Sequence, residues 1–133
     1  MRKELSVRTT TREEMHEITA AVEATVRAAG ILTGTCTIFI PHTTCAVTIN
    51  ENADPSVRPD ILAALAALVP HRCSIYEHGE GNSDAHIKTA LVGSSVSVPI
   101  KDGAIDLGTW QGIFLCEFDG PRTRRVVITI AES

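Results

Sequence analysis

Leu5 and Val7 alternate with polar neighbours, which predicts an opening strand that stops at the run Thr9-Thr10-Thr11. Thr10 or Thr11 followed by Glu13 or Glu14 has the spacing of a capping box. Met15, Ile18, Val22, Val26 and Ala29 come next at helical spacing, so one amphipathic helix is predicted from the threonines to Gly30, whose lack of a side chain suits a left-handed helix end. Thr35 to Ile40 is a β-rich run halted by Pro41, and Thr44 to Ile49 resumes alternation with Cys45, Val47 and Ile49 on one face. Pro59 is tolerable only near a helix start, so a second helix is predicted from about Pro59 to Leu68, burying Ile61, Leu62, Leu65 and Leu68.

The segment from His78 to Asn82 has no apolar period and reads as a loop, after which Asn82 or Ser83 can cap a short helix that carries His86 and ends at Gly93. Val96 and Val98 open a further strand, Lys101-Asp102-Gly103 has the Asp-Gly signature of a tight hairpin, and Ile105 with Leu107 makes the return. Ile113 to Phe118 and Val126 to Ile130 are predicted to pair with each other across the turn Asp119-Gly120-Pro121-Arg122. The pattern therefore predicts an α+β domain of about seven mostly antiparallel strands with about three helices. Strands such as Ile113-Phe114-Leu115-Cys116 are apolar on both faces, so either two sheets stack or a subunit interface covers the second face.

Composition narrows this little. At 133 residues, 44% hydrophobic and 21% charged, the chain fits one globular domain spanning residues 1–133. A net charge of -4 and a pI near 5.7 give no general attraction to phosphate backbones or anionic lipid, which argues against nucleic acid and membrane as partners. Met1-Arg2-Lys3-Glu4 lacks the apolar stretch of a secretory signal and no apolar run approaches a membrane span, so the expected compartment is the cytoplasm. Cys36, Cys45 and Cys116 lie in β-like stretches and are expected buried and reduced, whereas Cys73 in a polar segment is the one to test for reactivity.

Candidate chemistry rests on histidine. His16 falls on the polar side of the first predicted helix and His71 follows Pro70 in a loop, so both are expected in solvent. His42, His78 and His86 sit in turn-rich or helix-entry segments where side chains are presented. Three imidazoles with an open fourth position would make a catalytic metal site, although His78 and His86 match no compact ligand spacing and three unrelated histidines are the plain alternative. Asn50, Glu51, Asp54, Glu80, Asn82 and Asp84 can form a polar pocket nearby, and Asp54 and Asn82 can equally be caps. No Walker loop, G-x-S-x-G or H-E-x-x-H occurs.

The runs PHTTCAVTINENAD (Pro41 to Asp54), HGEGNSDAHIKTALVGSS (His78 to Ser95) and LGTWQGIFLCEFDGPRTRRV (Leu107 to Val126) resemble the signature of the YjbQ-like family, also described as secondary thiamine-phosphate synthases. That resemblance implies two packed β-sheets with flanking helices, a homotrimer, and a site where His42, His78 and His86 gather around one metal or anion. It further implies weak formation of thiamine phosphate, in which a pyrimidine diphosphate loses pyrophosphate to the nitrogen of a thiazole phosphate. Arg122, Arg124, Arg125, Lys88 and the amides of Ser83 to Ala85 are the candidates for holding the departing diphosphate.

Histidine ligands suit zinc better than magnesium, and a zinc-type site would more naturally activate water, with Glu51 or Asp54 as proton acceptor. A metal-dependent hydrolase of a small phosphorylated metabolite is thus the alternative enzyme, and a non-catalytic metal- or anion-binding module the alternative to an enzyme. Asn50, Asn82, Gln111 and Arg124 are the expected substrate contacts. Trp110 is expected to be a core or interface anchor, its indole having a large apolar area to bury.

Overall fold

The computed structural model describes every residue from Met1 to Ser133. Eight strands and three helices follow in the order β1 (Arg2–Arg8), β2 (Glu14–Glu17), α1 (Thr19–Ala29), β3 (Gly34–Phe39), β4 (Cys45–Glu51), α2 (Val57–Leu68), α3 (Ser83–Val92), β5 (Ser95–Lys101), β6 (Ala104–Ile105), β7 (Gln111–Glu117) and β8 (Thr123–Glu132). They form two antiparallel sheets, ordered β1-β8-β3-β5-β6 and β2-β7-β4. The α+β class and the two-sheet arrangement are as expected.

The two-sided apolar strands have a plain explanation in this layering. Side chains alternate across a strand, so Ile113 and Leu115 of β7 face the larger sheet while Phe114, Cys116 and Phe118 face the helices. The core between the sheets joins Cys36 and Ile38 of β3, Val47 of β4, Val98 of β5 and Ile128 of β8, and α1 adds Val22 and Val26. On the other face of the small sheet, Met15, Ala46, Phe114 and Phe118 pack against Ala85 of α3 and half-buried Ile61, Leu62 and Leu65 of α2. Leu68, expected inside, is 75% exposed, because α2 only leans on this second core and buries no residue fully.

Two predicted elements differ. The first helix begins only at Thr19, and Glu14–Glu17 is instead an edge strand on β7, with Met15 opposite Cys116. No capping box forms: the Thr10 amide donates to Glu14 Oε1 at 3.0 Å and the Thr11 hydroxyl to the Glu13 carbonyl, bonds that tie a loop rather than a helix. Met15 and Ile18 fit both periods over so short a stretch, and the unpaired edge of β7 takes the segment as a strand.

The second difference decides where the site lies. β7 and β8 do not pair with each other: β7 belongs to the small sheet and β8 to the large one, so Asp119–Arg122 is a crossing between sheets. Pro41–Thr44 crosses likewise between β3 and β4. At Gly120 an added Cβ would lie 2.3 Å from the Thr11 carbonyl oxygen, so only glycine lets this crossing pass so close.

The crossings are stapled by a buried ion pair. Glu117 at the end of β7 is fully buried and Arg124 on β8 is 3% exposed; Arg124 Nε donates to Glu117 Oε1 at 2.8 Å, and Nη2 donates to Glu117 Oε2 and to Thr44 Oγ1. Burial would raise the Glu117 carboxyl, but the bonds from Arg124, the Thr9 hydroxyl and the Asp119 amide outweigh it and hold its pKa below the ordinary value. No helix is long and apolar enough to cross a membrane.

Candidate functional site

Where the two crossings meet, the N-terminus of α3 closes over them and leaves a cleft of about 350 Å³ with no hydrophobic residue in its lining. His42, Thr43 and Thr44 come from the first crossing, Asp119 and Arg122 from the second, and Glu80, Asn82 and His86 from the approach to α3 and its first turn. The edge of the Arg124 guanidinium also borders it.

His42 is held in one tautomer. The backbone N–H of Arg125 donates to its Nε2 at 2.9 Å, so Nε2 is an acceptor and the neutral ring carries its proton on Nδ1. Partial burial, then the positive charges of Arg124 and Arg125, lower its pKa, which agrees with a neutral ring.

Asn82 is 6% exposed and caps no helix amide with its side chain. Its Nδ2 donates to Asp119 Oδ2 at 2.8 Å, and Arg122 holds that same carboxylate oxygen at 2.9 Å. The amide is thereby oriented, and its buried Oδ1 has no hydrogen-bond partner within the chain. A buried carbonyl oxygen left unpaired costs about 1–3 kcal/mol, a cost that a donor on a bound molecule removes.

His86 lies on α3 beside His78, the ring centroids 5.3 Å apart and nearly perpendicular at 86°. His86 borders both the polar cleft and a second hollow of about 490 Å³, whereas His78 borders only the second, its Nε2 3.8 Å from Glu80. The three histidines expected to share one ion therefore do not converge within a single chain: His42 Nε2 is occupied by a backbone amide and His78 stands outside the cleft. No group of three or more His, Cys, Asp or Glu side chains is arranged to hold a metal ion, so zinc or magnesium on this trio does not fit the residues as placed.

Several other expected contacts lie elsewhere. Glu51 accepts from the Asp54 amide, Asp54 accepts from the Ser56 amide and hydroxyl, Asn50 from the Glu51 amide and Gln111 from the Gly108 amide. These four residues sit at the far ends of β4 and β7, about 20 Å along the strands from the cleft, and act there as turn and cap formers. Lys88 is fully buried, its ammonium shared between Asp84 and Glu13, with Arg12 forking onto Asp84 at 3.0 and 3.2 Å. Arg125 turns its side chain to Glu4 on the other face of the large sheet. Trp110 is 63% exposed on this chain.

Of the expected contacts, Asn82 and Arg124 are at the cleft, Arg124 chiefly as the partner of Glu117. In the sequence alone Asp119 reads only as a turn residue. The usable signal was charge patterning, with acids at Glu117 and Asp119 mirrored by bases at Arg122 and Arg124 across the turn. The cysteines are all free; burial pushes Cys36 up to about 11, and Cys45 and Cys116 up to about 12, so these three are unreactive thiols.

Residues 3–133 match the family model described as UPF0047 protein YjbQ-like. The chain is 48% identical to the UPF0047 protein YugU of Bacillus subtilis, covering 96% of this chain and 97% of that protein. It is 49% identical to a UPF0047 protein of Methanocaldococcus jannaschii, covering 93% and 89%. A crystal structure of an uncharacterized conserved protein of the family from Clostridium acetobutylicum superposes with a TM-score of 0.95 at 46% identity, covering 97% and 99%. A protein of unknown function from Sulfolobus solfataricus superposes equally well, with a TM-score of 0.95 at 32% identity, covering 100% and 97%. Matching along its whole length in both sequence and fold, the chain belongs to the UPF0047 YjbQ-like family.

Proposed function

We propose that this protein is a small enzyme acting on a phosphorylated metabolite seated in the cleft between the two sheet crossings. The observation that carries this reading is the orphan Oδ1 of Asn82, a buried acceptor fixed in orientation by Asp119 at the edge of a largely polar cleft. It calls for a ligand that brings an O–H or N–H donor, such as a hydroxyl of a sugar or alcohol phosphate. Around it stand donors suited to phosphate oxygens: the Nδ1–H of His42, the guanidinium of Arg122 and the remaining N–H groups of Arg124.

His86 is the proton carrier in this reading, being the one imidazole of the cleft without a hydrogen bond to the protein, with Glu80 as the carboxylate at hand. A nucleophile, water or a second substrate, bonds to the carbon as its bond to the phosphate or diphosphate oxygen breaks; His86 takes the proton where the nucleophile is water, and the two arginines stabilise the departing anion. Formation of thiamine phosphate, which the family resemblance implies, is such a departure and is read as a weak side activity. No step is assigned to a metal. A homotrimer is retained as part of the proposal, with exposed Trp110 and Phe39 as apolar surface available for a subunit contact.

Calorimetric titration with inorganic phosphate and with pyrophosphate tests the site. The expected result is saturable binding that weakens at least about tenfold in Arg122→Ala, and binding of glycerol 3-phosphate, which carries hydroxyl donors, that weakens at least about tenfold in Asn82→Ala. Wild-type protein that binds neither anion overturns the proposal. A second reading, a binding module without turnover, is favoured by the distance of Glu51 and Asp54 from the cleft. Turnover of a panel of phosphate esters, lost in His86→Ala, separates the two.

A further inference from the structure

Charge does not balance in the polar cleft. Arg122 and Arg124 are positive, and against them stand the carboxylates of Glu80, Asp119 and the buried Glu117 that Arg124 pairs with. His42 adds no charge, its ring being a neutral donor. The ion pairs around the cleft cancel among themselves, Arg12 and Lys88 meeting Asp84 and Glu13, and Arg125 meeting Glu4. Negative charge is therefore in excess, which suits poorly a ligand that is only an anion, because an uncompensated carboxylate at close range opposes the phosphate.

The excess lies beside Asn82. Asp119 Oδ2 is taken by the Asn82 amide and by Arg122, whereas its Oδ1 accepts no hydrogen bond from the chain. The Glu80 carboxylate, just before Asn82 in sequence, has only the His78 ring near it, at 3.8 Å. With the buried, unpartnered Oδ1 of Asn82, these make a group of acceptors without a donor, in the same cleft as the arginines. A hydroxyl donates once and carries no charge; a primary ammonium donates three times and carries the charge the cleft lacks. From this match we infer that the ligand is an amino-alcohol phosphate, its primary ammonium against Asn82 Oδ1, Asp119 Oδ1 and Glu80, its phosphate on the donors of Arg122, Arg124 and His42. The inference rests on the proposed phosphate site and adds the charge and chemical class of the rest of the molecule.

Titration with O-phosphoethanolamine, glycerol 3-phosphate and inorganic phosphate, on wild type and on Glu80→Gln, tests it. O-phosphoethanolamine is expected to bind wild type about tenfold more tightly than glycerol 3-phosphate, the gain of a charge-assisted hydrogen bond over a neutral one. Glu80 is exposed and partly screened, so Glu80→Gln should keep the fold and cut that advantage to about threefold. Inorganic phosphate should bind the variant as tightly as wild type or more tightly, a like charge having been removed. Equal weakening of all three ligands in Glu80→Gln would make Glu80 a structural residue and overturn the inference. Equal affinity for O-phosphoethanolamine and glycerol 3-phosphate, with phosphate itself bound, overturns the ammonium class and leaves the phosphate site standing. Failure of all three to bind sinks the phosphate site itself. If added Mg²⁺ tightens inorganic phosphate as much as the ammonium does, and Glu80→Gln abolishes that gain, a metal ion fills the acceptor group and the inference falls.

Discussion

The backbone N–H of Arg125 donates to Nε2 of His42 at 2.9 Å, and this single bond decides what His42 can do. An imidazole that accepts at Nε2 cannot be protonated there without setting N–H against N–H. The ring is therefore a neutral donor through Nδ1, aligned with the cleft by β8, the strand that pairs with β3, rather than free to ligate an ion through Nε2.

Stability should depend on that ring through pH. The folded-state pKa of His42 is lowered, so the unfolded chain binds the proton more readily. The stabilisation is complete above the unfolded value, near 6.5, and is lost as pH falls through it toward the lower folded value. Urea unfolding at stepped pH should show this loss in wild type and a flatter profile over the same window in His42→Gln, whose side-chain oxygen can still accept from Arg125. Identical profiles would detach His42 from the effect.

Breaking the staple between the sheets should be severe. Glu117→Gln leaves the Arg124 guanidinium buried without its counter-charge, and Arg124→Met does the same to Glu117. Each is expected to cost about 3–5 kcal/mol in chemical denaturation, whereas the double replacement Glu117→Gln with Arg124→Met should recover a good part of it. A loss below about 1 kcal/mol for the single changes would contradict the role given to the pair.

Lys88 and Asp84 anchor α3 beneath the cleft. Burial raises the Asp84 carboxyl, but the bonds from Arg12 and Lys88 prevail and hold its pKa below the ordinary value. The stability it contributes is present above about pH 4, the unfolded value, and is lost as pH falls through the lower folded value. Lys88→Met should shorten that acid range and cost about 3 kcal/mol at neutral pH, read by thermal and urea unfolding.

The amide of Asn82 should matter for ligand and much less for fold. Asn82→Asp places a carboxylate against Asp119 and is expected to abolish phosphate binding. Asn82→Ala removes the orphan oxygen with its cost along with the bond to Asp119, so its unfolding free energy should stay within about 1 kcal/mol of wild type while affinity for glycerol 3-phosphate drops. A large stability loss without a change in affinity would make Asn82 a structural residue only.

Much of this fold can be read from the chain because strong periods and turn residues mark β1, β3, β4, α3 and the Lys101-Asp102-Gly103 hairpin unambiguously. The segment from Met15 to Ile18 could not be so read, since its apolar spacing suits a helix and a strand alike, and a neighbouring strand edge decides between them. Nor does any local signal distinguish a hairpin from a crossing at Asp119–Arg122; that depends on which sheet has an open edge for β8. The cleft was half legible for the same reason. His42, Asn82 and His86 stand in segments that present side chains, but Asp119 acquires its role only when the crossing brings it to Asn82. Glu51 and Asp54 looked catalytic because they follow His42 closely in sequence, and a seven-residue strand carries them away from it.

The most direct measurement is a histidine-resolved NMR titration with inorganic phosphate. His42 and His86 ring signals should shift together along one saturating curve, with His16 and His71 unchanged, and the shifts should disappear in Arg122→Ala. Movement of all five histidines in parallel, or of none, would contradict a phosphate site in the cleft between the sheet crossings.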